Sequence, residues 1–93
     1  MKYIKNKEYK LRQISENIYT LESIAQDSNS KIITLNSSAA FIWENIDGSE
    51  FCVDDVMNLL IEKYHISGTD AYNDSKDILD VWLKATLIIP YNN

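Results

Sequence analysis

The sequence predicts an α+β fold, a three-stranded antiparallel sheet followed by three helices in the order βββααα. Apolar residues alternate with polar ones through the first third of the chain and recur at helical spacing afterwards. The predicted strands are joined by short polar turns, which parallel strands do not permit because they need long crossovers. Helices that all follow a small sheet define an α+β arrangement. The last two helices, joined by a short turn, resemble a winged helix-turn-helix.

Three strands are predicted before the first helix. The first covers residues 9–14 and the second residues 18–24, and both are rich in the β-branched and aromatic side chains that suit a half-buried sheet. Ser15-Glu16-Asn17 forms the turn between them. After a polar cluster at residues 26–30, the third strand covers residues 31–35.

The first helix is predicted to start at residues 36–38, Asn-Ser-Ser, whose side chains can cap the free N–H groups of a first turn. The apolar side chains that follow at helical spacing are Ala39, Ile42, Trp43 and Ile46. Residues 47–49 are expected to end the helix, because Gly48 readily takes the left-handed conformation common at helix C-termini. Trp43 is therefore predicted to be buried in the core.

The second helix is predicted over about residues 53–65 and the third over about residues 70–86, separated by Ser67-Gly68-Thr69. The predicted buried stripe of the third helix consists of Ala71, Ser75, Ile78, Leu79, Trp82 and Ala85. Residues 87–89 follow as a short extended tail, which Pro90 is expected to stop.

The length and charge of the chain limit the classes of protein to which it can belong. A chain of 93 residues without linker or repeat is expected to form a single domain over 1–93. Its formal net charge of −5 disfavours binding to nucleic acid, because neutralising the phosphates requires clustered Lys and Arg. No apolar run approaches the ~20 residues of a membrane span, and no apolar segment follows the basic start. A cytoplasmic protein that binds neither nucleic acid nor membrane is expected.

The sequence contains none of the residue combinations that form the common catalytic, zinc or phosphate-binding sites. Cys52 and His65 are its only thiol and imidazole, and they lie at opposite ends of the second predicted helix, roughly 20 Å apart. They cannot form a nucleophile–base pair, and one Cys with one His cannot supply a zinc site. No glycine-rich phosphate loop is present. We therefore expect no catalytic activity, no cofactor and no metal.

The most specific stretch is residues 35–48, which read Leu-Asn-Ser-Ser-Ala-Ala-Phe-Ile-Trp-Glu-Asn-Ile-Asp-Gly. This stretch resembles the signature of the PqqD-like family: Leu-Asn, two polar residues, small residues, Ile-Trp-Glu, two residues, Asp-Gly. Residues 53–56 resemble the start of the family's next helix, and residues 74–88 resemble its third helix and apolar ending. The resemblance extends over about residues 9–89.

Two positions depart from the family pattern. Cys52 stands where threonine usually caps the second helix, which weakens the cap. Thr86 stands where glycine usually closes the third helix. Because threonine enters the left-handed region only at an energetic cost, the second departure predicts a different ending for this helix.

Members of the PqqD-like family are peptide-binding domains, also called RiPP recognition elements, of ribosomal peptide natural-product pathways. The resemblance implies that this chain binds the leader segment of a precursor peptide as an added strand along the third predicted strand, against the third helix. It also implies a partner that modifies the peptide, such as a radical enzyme, a cyclase or a leader protease.

We predict the binding groove between the third strand and one flank of the third helix. The predicted residues are Lys31, Ile32, Ile33 and Thr34 on the strand and Asp77, Asp80, Val81 and Lys84 on the helix. The strand's main chain would set the register, and the carboxylates would attract a basic leader. Exposed charge pairs contribute only ~0.2–1 kcal/mol each, so the apolar contacts are expected to dominate the affinity.

Two other interpretations remain open at this point. A winged-helix DNA-binding regulator would share the topology, but the third predicted helix carries the aspartates 70, 74, 77 and 80 against two lysines. An interaction domain with an unrelated protein partner is the second alternative. The acidic ridge is either a solvated helix face or a site for a cation or a basic peptide.

Overall fold

A computed structural model describes residues 1–23, 32–46 and 50–91 of the chain. Its elements, in chain order, are β1 (Lys2–Lys5), β2 (Tyr9–Ser15), β3 (Ile18–Ser23), β4 (Ile32–Leu35), α1 (Ser37–Asn45), α2 (Val53–Tyr64), α3 (Gly68–Lys84) and β5 (Ile88–Tyr91). The predicted α+β class, with three consecutive antiparallel strands followed by three helices, is confirmed, and β1 and β5 are additions to it. The elements fall into two units, one of residues Lys7–Glu44 and one of Met1–Asn6 with Asn45–Asn93.

The unit of residues 7–44 contains the three-stranded sheet, in the order β2-β3-β4, and most of α1. Both neighbouring pairs of strands are antiparallel. In the register of the sheet, Leu21 on β3 lies between Leu11 on β2 and Ile33 on β4, and it is fully buried. The apolar side chains of this face therefore form the inner side of the sheet.

The start of α1 follows from the predicted cap. Asn36 Oδ1 accepts a hydrogen bond from the N–H of Ala39 at 2.9 Å, so Asn36 satisfies a first-turn donor. Trp43 is 5% exposed, which confirms its predicted burial. Ala40, rather than the predicted Ala39, is the buried alanine of this helix. The predicted stop at residues 47–49 lies outside the described residues.

The other unit contains α2 and α3, which pack on each other, and the pair of strands β1 and β5. Ser67 Oγ accepts a hydrogen bond from the N–H of Asp70, so α3 starts at Gly68, two residues before its predicted start. The predicted stripe of α3 is buried at Ala71, Ser75, Leu79 and Trp82 and half-buried at Ile78 and Ala85.

Strand β1 is absent from the predicted set of elements, and Pro90 does not stop the chain as predicted. β5 continues through Pro90, which lies opposite Tyr3 in an antiparallel pair with β1. Tyr3 exchanges both of its main-chain hydrogen bonds with Phe51, at 2.7 and 2.9 Å, so its polar groups face away from β5. The pair of Tyr3 and Pro90 is therefore a non-hydrogen-bonded pair, and the N–H that proline lacks would have faced away from β1.

The prediction that α3 ends without the left-handed residue typical of the family is wrong. Thr86 adopts a φ of 58°, the left-handed conformation that a glycine would take. The N–H of Thr86 donates to the carbonyl of Leu83 and the N–H of Leu87 donates to that of Trp82, which together form a Schellman motif. Asn6 binds this turn from outside, because its Nδ2 donates to the Thr86 carbonyl and its N–H to the Leu87 carbonyl, both at 2.8 Å. The hydrogen bonds of the turn thus hold threonine in a conformation that it disfavours.

Candidate functional site

Strand β4 lies at one edge of the three-stranded sheet. It pairs with β3 on one side, and no other described strand pairs with it. In an antiparallel pair, every second residue directs its N–H and C=O away from the neighbouring strand. Main-chain donors and acceptors of β4 therefore point outward, in the geometry that an added strand would complete.

The side chains of β4 alternate between the two faces of the sheet. Ile33 is half-buried beside Leu21, and Leu35 on the same face is 5% exposed. Ile32 and Thr34 lie on the opposite face and are exposed, Ile32 to 66%. Three of the four predicted strand residues are thus present on this edge, and the fourth, Lys31, lies outside the described residues.

The outer edges of β2 and β5 carry features that oppose strand addition. β2 has a register irregularity between Gln13 and Ser15 and presents the charged side chains Lys10 and Arg12. β5 has Pro90, whose nitrogen faces its outer side without a hydrogen to donate. Irregularities, charges and prolines at such positions protect edges from pairing. β4 has none of these features over residues 32–35.

The predicted residues of the third helix share one exposed face of α3. Asp77, Val81 and Lys84 recur at helical spacing, and Asp80 is exposed beside them. Val81 is 60% exposed, so its apolar surface is available on this flank. These residues belong to one unit and β4 to the other, and the groove predicted between them stays a prediction.

The residues considered for catalysis are separate within their unit. Cys52 precedes α2, where its N–H donates to Asp55 Oδ2 at 2.9 Å, and the exposed His65 closes the same helix in a left-handed conformation. Within residues 1–23, 32–46 and 50–91, no group of three or more His, Cys, Asp or Glu side chains is arranged to hold a metal ion. None of the helices in these ranges is long and apolar enough to cross a membrane.

Sequence reasoning missed the contrast between the sheet edges, because the position of a strand at an edge depends on tertiary pairing. Pro90 was the available signal, since proline within an apolar run is typical of edge strands. The register irregularity between Gln13 and Ser15, where Ile14 is 54% exposed, has no comparable signature in the sequence.

The comparisons with known proteins agree with this fold. The family model described as "Coenzyme PQQ synthesis protein D (PqqD)" matches residues 15–88, and the chain belongs to this family. A solved structure described as "TbiB1 in Complex with the TbiA(beta) Leader Peptide" is similar to this chain, with a TM-score of 0.71 and 13% sequence identity. The similarity covers 97% of this chain and 99% of the solved one. No curated protein sequence matches the chain.

Proposed function

We propose that this chain binds the leader segment of a ribosomally made precursor peptide and presents it to a separate modifying enzyme or protease. Membership of the PqqD family supports this function. The similar fold of TbiB1, whose structure is described as a complex with a leader peptide, supports it as well.

The observation that carries the proposal is the unprotected edge of β4. Its outward N–H and C=O groups are satisfied when an extended peptide pairs with them, and the alternate side chains then select the sequence. Ile32 adds exposed apolar surface at this edge. The leader is therefore proposed to bind along residues 31–34 as an additional strand.

The exposed face of α3 is proposed as a second contact region for the leader. Val81 supplies an apolar contact, while Asp77, Asp80 and Lys84 supply polar ones. Because exposed charge pairs contribute little, Val81 is expected to matter more than any of these charges.

The chain is proposed to assist modification without performing it. Binding the leader beside a modifying enzyme raises the local concentration of the substrate, which requires no catalytic group in this chain. Its site of action is proposed to be the cytoplasm, where ribosomes make the precursor.

A titration tests the proposal. Synthetic leader segments of candidate precursor peptides are added to the full chain, and a DNA duplex is added separately at low salt. We expect saturable binding of the leader, together with slower amide exchange at outward-facing N–H groups of β4. Binding of the duplex without binding of the leader would instead support the winged-helix regulator.

A further inference from the structure

The register of the sheet aligns its side chains in rows that cross all three strands. One row contains Leu11, Leu21 and Ile33, all of them aliphatic. On the opposite face, a second row contains Arg12, Thr20 and Thr34, and a third contains Lys10, Glu22 and Ile32. A strand added at β4 places one side chain at the end of each row.

The charges in these rows lie away from the open edge. Arg12 Nη1 is 3.8 Å from Glu22 Oε2, and Thr20 Oγ1 donates to the same oxygen at 3.4 Å. Arg12 on β2 and Glu22 on β3 therefore interact with each other, and the third charged side chain, Lys10, also lies on β2. The side chains next to an added strand are Ile32, Ile33 and Thr34, none of which is charged.

We propose, on the basis of the function proposed above, that the leader segment seated on β4 carries a specific three-residue pattern. An aliphatic or aromatic residue lies opposite Ile33 and extends the aliphatic row. A second apolar residue lies opposite Ile32, because β-branched and aromatic side chains pair favourably across strands. Threonine or serine lies opposite Thr34, where hydroxyl side chains of neighbouring strands hydrogen-bond to each other.

This pattern is asymmetric, so its direction reports the orientation of the bound peptide. An antiparallel leader meets Thr34 first and reads, from N to C, hydroxyl–apolar–apolar. A parallel leader reads apolar–apolar–hydroxyl. In both orientations, the segment at these three positions is uncharged.

Selection from a displayed library of random ten-residue peptides on the full chain tests the pattern. We expect the selected peptides to share the three-residue pattern in one of its two directions. For the Ile32→Glu variant, we expect Lys or Arg to replace the apolar residue opposite position 32, and for Ile32→Lys we expect Asp or Glu. Each variant should prefer its complementary peptide about threefold or more over the peptide of like charge.

Matched variants separate this inference from a general effect of charge. Ile14→Glu places the same charge on β2, at a side chain that is 54% exposed, and should leave the selected pattern unchanged. Thr34→Glu and Thr34→Lys repeat the charge exchange at the neighbouring exposed position, should the Ile32 variants fold poorly.

The outcomes distinguish the two proposals. If peptides are selected but their pattern is unaffected by the Ile32 and Thr34 variants, the inferred register is wrong while peptide binding stands. A change of pattern with Ile14→Glu would also overturn the register. If the unmodified chain selects no peptide above background, the proposed function itself fails.

Discussion

At the scale of single residues, Thr86 is a β-branched residue at a turn position whose backbone conformation suits glycine. Its φ of 58° lies in the left-handed region, where a β-branched residue is strained. We expect Thr86→Gly to raise the free energy of unfolding by roughly 1 kcal/mol, because relief of this strain outweighs the greater freedom of glycine in the unfolded chain. Urea denaturation measures the change.

Thr69→Gly is the matched control for this prediction. Thr69 lies in the first turn of α3 and has a negative φ, so glycine there relieves no strain and should be slightly destabilising. Equal destabilisation by both substitutions would show that the left-handed conformation of Thr86 costs nothing.

Trp43 is the second residue with a large expected effect. It is 5% exposed on α1, near the buried Ala40 and Ile42 of the same helix. We expect Trp43→Ala to lower the free energy of unfolding by roughly 3–5 kcal/mol, the usual range for removing a large aromatic side chain from a core. Ile14→Ala, at an exposed position, is the control, and an unchanged denaturation midpoint for Trp43→Ala would contradict the burial.

At the scale of elements, β5 depends on Pro90 for the protection of its outer edge. We expect Pro90→Val to promote self-association as the protein concentration rises, because valine restores an outward N–H and favours the strand. Light scattering measures the molar mass. Ile89→Val changes the neighbouring residue without adding an edge donor and should leave the mass constant, and a constant mass for Pro90→Val would refute the protective role.

The flank of α3 provides a second prediction at this scale. We expect Val81→Asp to weaken leader binding at least about tenfold, equivalent to ~1.4 kcal/mol, without unfolding the chain, because Val81 is 60% exposed. Tyr72→Asp on the other flank of α3, at a side chain that is 44% exposed, is the matched control. A larger effect of Tyr72→Asp would show that the leader contacts the other flank.

The elements also differ in how far the sequence predicts them. The hydrophobic residues of β2, β3 and the three helices recur with the period of a strand or of a helix. Capping residues such as Asn36 also place the helix starts to within one or two residues. β1 has four residues and partners far away in sequence, so no local pattern distinguishes it. The conformation of Thr86 is set by its turn rather than by its own preference, which explains the wrong prediction for the end of α3.

At the scale of the whole molecule, the family was predictable because the motif at residues 35–48 is specific. The candidate site was only partly predictable. Alternation places Ile33 and Thr34 on opposite faces of their strand, but the edge position of β4 and the protection of the other edges depend on pairing between strands. Helical spacing correctly placed Val81 outside the buried stripe of α3.

If this chain binds the leader and a separate enzyme modifies the peptide, the mass of the precursor should depend on which of the two proteins is present. The precursor peptide incubated with this chain alone should keep its mass, whereas adding the modifying enzyme should shift it. The shift should be faster with the chain than without it, since the chain raises the local concentration of the substrate. Mass spectrometry follows both reactions, and a shift with this chain alone would overturn the expectation that it has no catalytic activity.

The pairing of β1 with β5 has a consequence for the kinetics of folding. Lys2 lies opposite Tyr91, so this ladder joins segments from nearly the two extremes of the sequence, whereas β2 and β3 are joined by a tight turn. Bringing distant segments together loses more chain entropy than closing a hairpin. The β2–β3 hairpin is therefore expected to form early, and β1 to join last. Substitutions in β1 should then accelerate unfolding and leave the refolding rate nearly unchanged.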